Sequence, residues 1–318
     1  MAVPRQNAES RAQAALDTLN ALDPVAPRPE QIATVRKGLA DGHFLVVARA
    51  AMLAGERLLP ELIAALLAAY TRFLLNPVKR DPGCKAKQTI ARALVRLQCQ
   101  DISFYRAGIH YRQLEPVWGG RADTATDVRC SCAMGLAASG SLRAIAELTG
   151  LLNDPEPVVR SGAARAISCG NPYEAEAVLR LKVKIGDVEP EVIGECFSAL
   201  LAIQPEYSLP FVADYLRGKD PALQEYAALA LGESRQAEGL QMLREAWDDV
   251  VDAEGRGALI RAAALHRSEP AFAWLLSIIG TGTPKLAIAA ANALEIYERN
   301  SQLVERVNAA KARRKDQL

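Results

Sequence analysis

The sequence predicts an all-α fold, an α-solenoid of about eight helix pairs, and three observations lead there. Half of the 318 residues are hydrophobic and only 5% are aromatic; the apolar residues are mostly Ala and Leu, which are strong helix formers. No segment keeps the strict alternation of a half-buried strand. Ala-rich segments also recur along the chain, most of them opened by an Asp-Pro type of turn, at spacings that fall to about 31 residues in the later copies, within the range of helical-pair repeats.

The elements follow in order. Residues 1–28 hold an amphipathic helix, "NAESRAQAALDTLNAL" (7–22), and most of a Pro-rich linker, "DPVAPRPE" (23–30); the helix is suited to capping the first repeat or to docking on a partner. The repeats occupy 29–300 and begin with "GHFLVVARAAML" (42–53). "LLPELIAALLAAYTRFLL" (58–75) carries Glu61 and Arg72 and falls short of about 20 uninterrupted apolar residues, so it is expected as a buried helix and no membrane span. Further copies are "DPGCKAKQTIARAL" (81–94), "DTATDVRCSCAMGL" (123–136), "DPEPVVRSGAARAI" (154–167), "EPEVIGECFSALL" (189–201), "DPALQEYAALAL" (220–231), "EGRGALIRAAAL" (254–265) and "PKLAIAAANAL" (284–294). Between copies lie second apolar helices such as 141–152, 175–185 and 208–218. Residues 301–318 form a C-terminal helix and basic tail, with "KARRKDQL" expected to fray.

Each copy has a legible start. A short polar side chain accepts from a free backbone N–H, and Pro follows at the first helical position, where its missing N–H costs nothing. Asp81-Pro82, Asp154-Pro155 and Asp220-Pro221 follow this rule. The copies align on a large apolar anchor at Leu53, Leu94, Leu136, Ile167, Leu200, Leu231, Leu265 and Leu294, spaced 41, 42, 31, 33, 31, 34 and 29 residues apart. Seven positions earlier stands a basic residue in three copies: Lys87, Arg129 and Arg160. Val46 and Ala258 occupy that position in the first copy and in the copy after Glu254, which leaves two readings: end caps, or a register off by about a turn.

Asp154, Val159, Arg160, Ala163, Ala164 and Ile167, echoed by Asp123, Val128, Arg129, Cys132, Ala133 and Leu136, resemble the motif of the HEAT-repeat family. The short copies after residue 123 are similar to the HEAT-like repeats of phycobilisome lyases. The resemblance covers roughly residues 30–300 and implies a right-handed α-solenoid of about eight HEAT-like helix pairs, whose second helices line a concave surface. It implies little about function, since one fold hosts many tasks.

One stretch stands apart. "GIHYRQLEPVWGGRADTATD" (108–127) crowds polar and aromatic residues into an Ala/Leu chain, within the 42-residue interval between Leu94 and Leu136. Its helix is expected to be capped by Asp101 and ended with the help of Pro116, with Arg106, His110 and Gln113 on one face and Ile102, Tyr105 and Ile109 on the apolar face beside it. The resemblance turns Arg106, His110 and Gln113 toward the concave surface, with Trp118-Gly119-Gly120-Arg121 as a loop at its edge. Arg106, His110, Tyr111, Arg112, Gln113, Trp118 and Arg121 are the candidate partner-binding residues, because Tyr, Trp and Arg dominate binding hot spots. The bland alternative is that Trp118 plugs the joint of a long repeat, Gly119-Gly120 supplies unusual backbone angles, and Tyr105 and Tyr111 are core.

Other chemistry finds no motif. Six cysteines, at 84, 99, 130, 132, 169 and 196, contain no CxxC pair; Cys132 aligns with Ala163 in a buried small-residue position, so the CxC at Cys130 and Cys132 reads as ordinary thiols and no metal is expected. His43, His110 and His266 lie far apart. No phosphate-binding glycine motif occurs, and no cofactor is expected. The start has no apolar targeting segment, and the expectation is a reducing cytoplasm. Net charge is +1, but residues 76–121 hold nine Lys/Arg against three Asp/Glu, while 220–255 hold two Arg against nine Asp/Glu. Such asymmetry steers charged partners or stacks molecules head to tail. The acidic run "EAWDDVVDAE" (245–254) is expected as a solvated helix end and loop.

The sequence thus points to a non-catalytic scaffold that binds another protein or a peptide in a concave groove. The runner-up is nucleic-acid binding, or a DNA-glycosylase-like enzyme on the same scaffold, with a phycobilin-lyase-like role as a weaker variant. Oligomeric state is left open.

Overall fold

The computed structural model describes residues 3–315 and is all-α apart from one hairpin: 19 α-helices and a single two-stranded sheet among the described residues. The fold is of the HEAT-like helical-repeat kind. Packing divides the chain into two compact units, 1–170 and 171–318.

In the first unit, α1 (Val3–Asn20), α2 (Arg28–Leu39), α3 (Phe44–Glu56), α4 (Ile63–Phe73), a short α5 (Pro77–Arg80), α6 (Lys85–Arg96) and α7 (Ile102–Gly108) precede the hairpin β1 (Leu114–Val117) and β2 (Gly120–Asp123); α8 (Thr126–Ala138), α9 (Ala144–Leu148) and α10 (Pro157–Ile167) follow. Here α3 packs on α6, α6 on α8 and α8 on α10, while α4 and α7 lie against α6 and α8. The N-terminal helix α1 docks on α2 and α3, burying Ala12 and Leu19.

The second unit comprises α11 (Pro172–Ile185), α12 (Pro190–Ile203), α13 (Pro205–Ala213), α14 (Pro221–Ser234), α15 (Ala237–Asp249), α16 (Ala253–His266), α17 (Glu269–Thr281), α18 (Pro284–Ala293) and α19 (Ser301–Lys315). Its row runs α12 on α14 on α16 on α18, and α19 closes onto α17 with Leu303 and Ala310 buried. Of the tail expected to fray, residues 311–315 continue this helix, and 316–318 lie outside the described residues. No described helix is long and apolar enough to cross a membrane; in the apolar stretch 58–75, Leu66, Ala69, Tyr70 and Phe73 are core.

The anchors carry the rows. Leu53, Leu94, Leu136, Ile167, Leu200, Leu231 and Leu294 are all buried. The eighth expected anchor, Leu265, is corrected: it is only half-buried. Ile167, Leu200 and Leu231 each stand eleven residues past the N-cap position of their helix, at Glu156, Glu189 and Asp220, so α10 opens at Pro157 and not at the expected Asp154-Pro155; eleven past Asp252 in α16 is the fully buried Ala263. The α16 register therefore shifts by two residues, which brings Arg256, not Ala258, to the basic position.

That correction exposes a recurring latch. Arg256 Nε donates to the Val250 carbonyl at 2.7 Å, six residues back. Arg160 Nη1 reaches Asp154 O at 2.9 Å, and Gln224 Nε2 reaches Gly218 O at 2.7 Å, over the same interval. Lys87 and Arg129 use the carboxylates of Asp81 and Asp123, six residues back, each at 2.7 Å. In five of the eight row helices the first turn is thus bound to the loop that feeds it, through a side-chain donor that satisfies a loop carbonyl or carboxylate.

The second-row helices of unit two show another recurrence. Arg180 on α11 donates to Tyr207 O at 2.7 Å and lies over the Phe211 ring, 4.5 Å from its centroid. Arg244 on α15 donates to Pro270 O at 2.7 Å and lies over Trp274 at 5.6 Å. In both cases the carbonyl belongs to the start of the next second-row helix and the aromatic follows four residues later, so one guanidinium pins two helices by hydrogen bond and cation–π contact.

Candidate functional site

The stretch 101–127 is short helix followed by hairpin, which corrects the expected long helix. Asp101 does cap α7, accepting from Phe104 N at 3.1 Å. The helix ends at Gly108, where α7 crosses α8 at close range: a Cβ on Gly108 would collide with Cys132 Sγ, and one on Gly135 would collide with the Tyr105 ring. His110 and Gln113 therefore lie beyond the helix and share no helical face with Arg106. Pro116 sits within β1, eight residues past the helix end, and does not terminate it. Tyr105 and Ile109 are core as expected.

The hairpin is antiparallel, with Leu114 opposite Asp123 and Val117 opposite Gly120, leaving Trp118-Gly119 as its two-residue turn. Gly119 takes φ 84°, a left-handed conformation free of steric cost only for glycine. Trp118 is 102% exposed, so it does not plug a joint. Val117 and Leu114 are about half exposed, at 50% and 48%.

The hairpin base is bound tightly. Gln113 is buried; its Nε2 donates to Asp81 O at 2.8 Å and to Glu115 Oε1 at 2.7 Å, and its Oε1 accepts from Tyr111 Oη at 2.9 Å. Glu115 also accepts from Gly83 N at 2.8 Å and from Thr124 Oγ1 at 2.7 Å. Burial pushes the Glu115 carboxyl up, but the donors from Gln113, Thr124 and Gly83 outweigh it and hold the group below its ordinary value. The half-buried Tyr111 ring lies beside Lys87 Nζ at 5.8 Å, and burial raises its phenol well above the ordinary value.

Beneath the hairpin is an ionic knot. Arg129, fully buried, donates through Nη1 to Asp123 and to Tyr111 O, at 2.7 and 2.9 Å, and through Nη2 to Asp154 at 3.3 Å. Arg112 covers the same two carboxylates, at 3.5 and 3.0 Å, with its side chain 43% exposed. For Asp123, desolvation raises the carboxyl; the N–H groups of Ala125 and Gln113 and the Arg129 guanidinium reverse this and leave it below the usual carboxylate value.

The seven sequence candidates thus divide. Trp118, Arg121 and His110 are exposed. Arg106 is exposed but held by Glu147, Nε–Oε2 2.8 Å. Tyr111, Arg112 and Gln113 build the base. Sequence reasoning ranked Arg129, Asp123 and Asp154 only as repeat residues, although their recurrence at a fixed interval was the signal for this knot. Lys79 and Lys85, on the segment that meets the hairpin base at Asp81 and Gly83, are exposed, and like Arg121 they pair with no carboxylate among the described residues.

Cys132 is buried in the small-residue position equivalent to Ala163, and burial pushes the half-buried Cys130 thiol up to about 11. Among the described residues no three His, Cys, Asp or Glu side chains gather into a metal-ligating group. His266 is buried and bound on both ring nitrogens, to Ser268 Oγ and Gln236 O, at the edge of an open cavity of about 510 Å³ in unit two. The acidic run is a helix end and loop as expected: Asp248, Asp249, Asp252 and Glu254 are exposed.

No family model and no curated protein matches this chain. Solved structures to which it is similar include human deoxyhypusine hydroxylase in complex with glycerol, at 17% identity over 82% of this chain and 98% of the other, TM-score 0.32. The complex of CpcE and CpcF of phycocyanin lyase from Nostoc sp. PCC7120 matches at 14% identity over 91% and 95% of the two chains, TM-score 0.36. An engineered protein matches at 17% identity over 95% and 89%, TM-score 0.37. At these identities and TM-scores the similarities bring no residue role or activity to this chain.

Proposed function

We propose that this protein is a non-catalytic HEAT-like scaffold that binds another protein or a peptide, in the groove lined by the second helices of its pairs, with the hairpin as the leading contact. The observation that carries the reading is Trp118, fully exposed at the tip of a ribbon whose base is locked by buried polar groups. A solvent-facing indole with no intramolecular role suits a binding anchor. Trp118, Arg121 and His110 would touch the partner; Arg106, Tyr111, Arg112 and Gln113 would position them.

The test is affinity capture from native lysate by wild type beside Trp118→Ala/Arg121→Ala, two exposed positions, once circular dichroism has shown both proteins folded. A protein held only by wild type supports the reading. Identical captures from both overturn it.

A second reading, nucleic-acid binding, draws on the exposed indole, on Arg121 in the same hairpin and on Lys79 and Lys85 in the segment joined to the hairpin base. Its signature is nucleic acid in the captured fraction and affinity that falls steeply with salt.

A further inference from the structure

We propose that the partner of the hairpin includes a second copy of this chain, which offers the acidic loop between α15 and α16, so that molecules associate head to tail. The inference rests on the binding role assigned to the hairpin and names its occupant. Two exposed features of opposite character, one in each unit, support it. The hairpin presents Trp118 and the half-exposed Val117 beside Arg121, with Lys79 and Lys85 on the segment joined to its base; none of these three cations has an internal carboxylate. The acidic loop presents Val251, 80% exposed, between Asp248 and Glu254, both exposed and free of any ion pair among the described residues.

Each feature sets exposed apolar surface beside a rim of unpaired charge, cationic in the hairpin and anionic in the loop, where Arg217 is already paired with Asp249 and Arg256 already bound to Val250 O. Apolar centre against apolar centre supplies burial, while the rims supply orientation and exclude like pairings, hairpin on hairpin or loop on loop. The charge separation is large for a chain of net charge +1. Because the two surfaces differ, the contact is heterologous, and a dimer keeps one unused face of each kind, the loop on one molecule and the hairpin on the other.

The test is sedimentation velocity on the full chain over a concentration series, at low and high salt. Wild type is expected to associate with rising concentration, at least about tenfold more weakly at high salt. Trp118→Ala/Arg121→Glu and Asp248→Lys/Glu254→Lys, both folded by circular dichroism, are each expected to remain monomeric alone. Mixed, they are expected to form a one-to-one dimer, since one variant keeps an intact loop and the other an intact hairpin. A wild type that stays monomeric throughout, variants that associate as wild type does, or a mixture that fails to pair would each overturn the proposal. A monomeric wild type that still captures a protein through Trp118 would remove self-association alone and leave the hairpin's binding role standing.

Discussion

The Arg129 guanidinium on α8 reaches the Asp154 carboxylate ahead of α10 at 3.3 Å, with both side chains out of solvent. One side chain therefore serves two repeats, its own through Asp123 and the next through Asp154. Breaking a buried pair strands the other charge, so Arg129→Ala is expected to lower stability by about 3–5 kcal/mol in urea unfolding. The exposed Arg121→Ala is expected to stay within about 0.5 kcal/mol. Equal effects would show that the knot does not carry the joint.

The approach of α7 to α8 depends on Gly135, whose missing side chain leaves room for the Tyr105 ring. Gly135→Ala is expected to destabilise by about 1–3 kcal/mol, because overpacking there displaces a buried ring. Thermal unfolding followed by circular dichroism checks this, and an unchanged midpoint would mean the helices shift apart freely.

The corrected register in α16 has its own test. Leu231→Ala and Ile167→Ala are expected to cost about 2–5 kcal/mol as buried anchors. The half-buried Leu265→Ala is expected to cost clearly less in the same urea series, whereas a loss as large as that of Leu231→Ala would restore the unshifted register.

Acid should loosen the hairpin base. Asp123 and Glu115 both have carboxyls held below their ordinary values in the folded state. Their contribution is therefore complete above the unfolded carboxylate pKa and is lost as pH falls through the lower folded values, below about pH 4. Glu115→Gln, which keeps an acceptor and removes the titration, is expected to flatten part of that acid limb when unfolding midpoints are compared from neutral pH downward.

Thiol reactivity should separate the six cysteines. Cys169 is exposed, Cys84 and Cys196 are buried with thiols pushed up to about 12, and Cys130 is half-buried with its thiol up to about 11. Native protein is expected to show one fast-reacting thiol with a disulfide reagent near pH 8, abolished by Cys169→Ser, since reaction needs access and thiolate. Several fast thiols would contradict the packing around Cys130 and Cys132.

Periodicity made the rows legible because every buried anchor must recur at the interval that stacks one helix on the next. Leu231 and Ile167 could be placed that way. Leu265 misled because α16 fills its anchor position with Ala263, and an alanine in an Ala-rich helix carries no periodic signal. The hairpin was hidden for a different reason. Leu114–Val117 and Gly120–Asp123 are four residues each, too short for alternation to register. Trp118 stands out in the sequence by residue type alone, and its complete exposure excludes the joint filler.

The hairpin's unequal ends have a kinetic consequence. Its base is fixed by hydrogen bonds to Asp81 O, Gly83 N and Thr124, while Trp118 at the turn touches nothing that a partner would have to displace. On the binding role proposed above, a partner would meet a pre-organised anchor, and little conformational freedom would be lost in seating it. No folding step has to precede or follow the encounter, so association should proceed in a single phase and differences among hairpin variants should appear chiefly in how long the complex lasts.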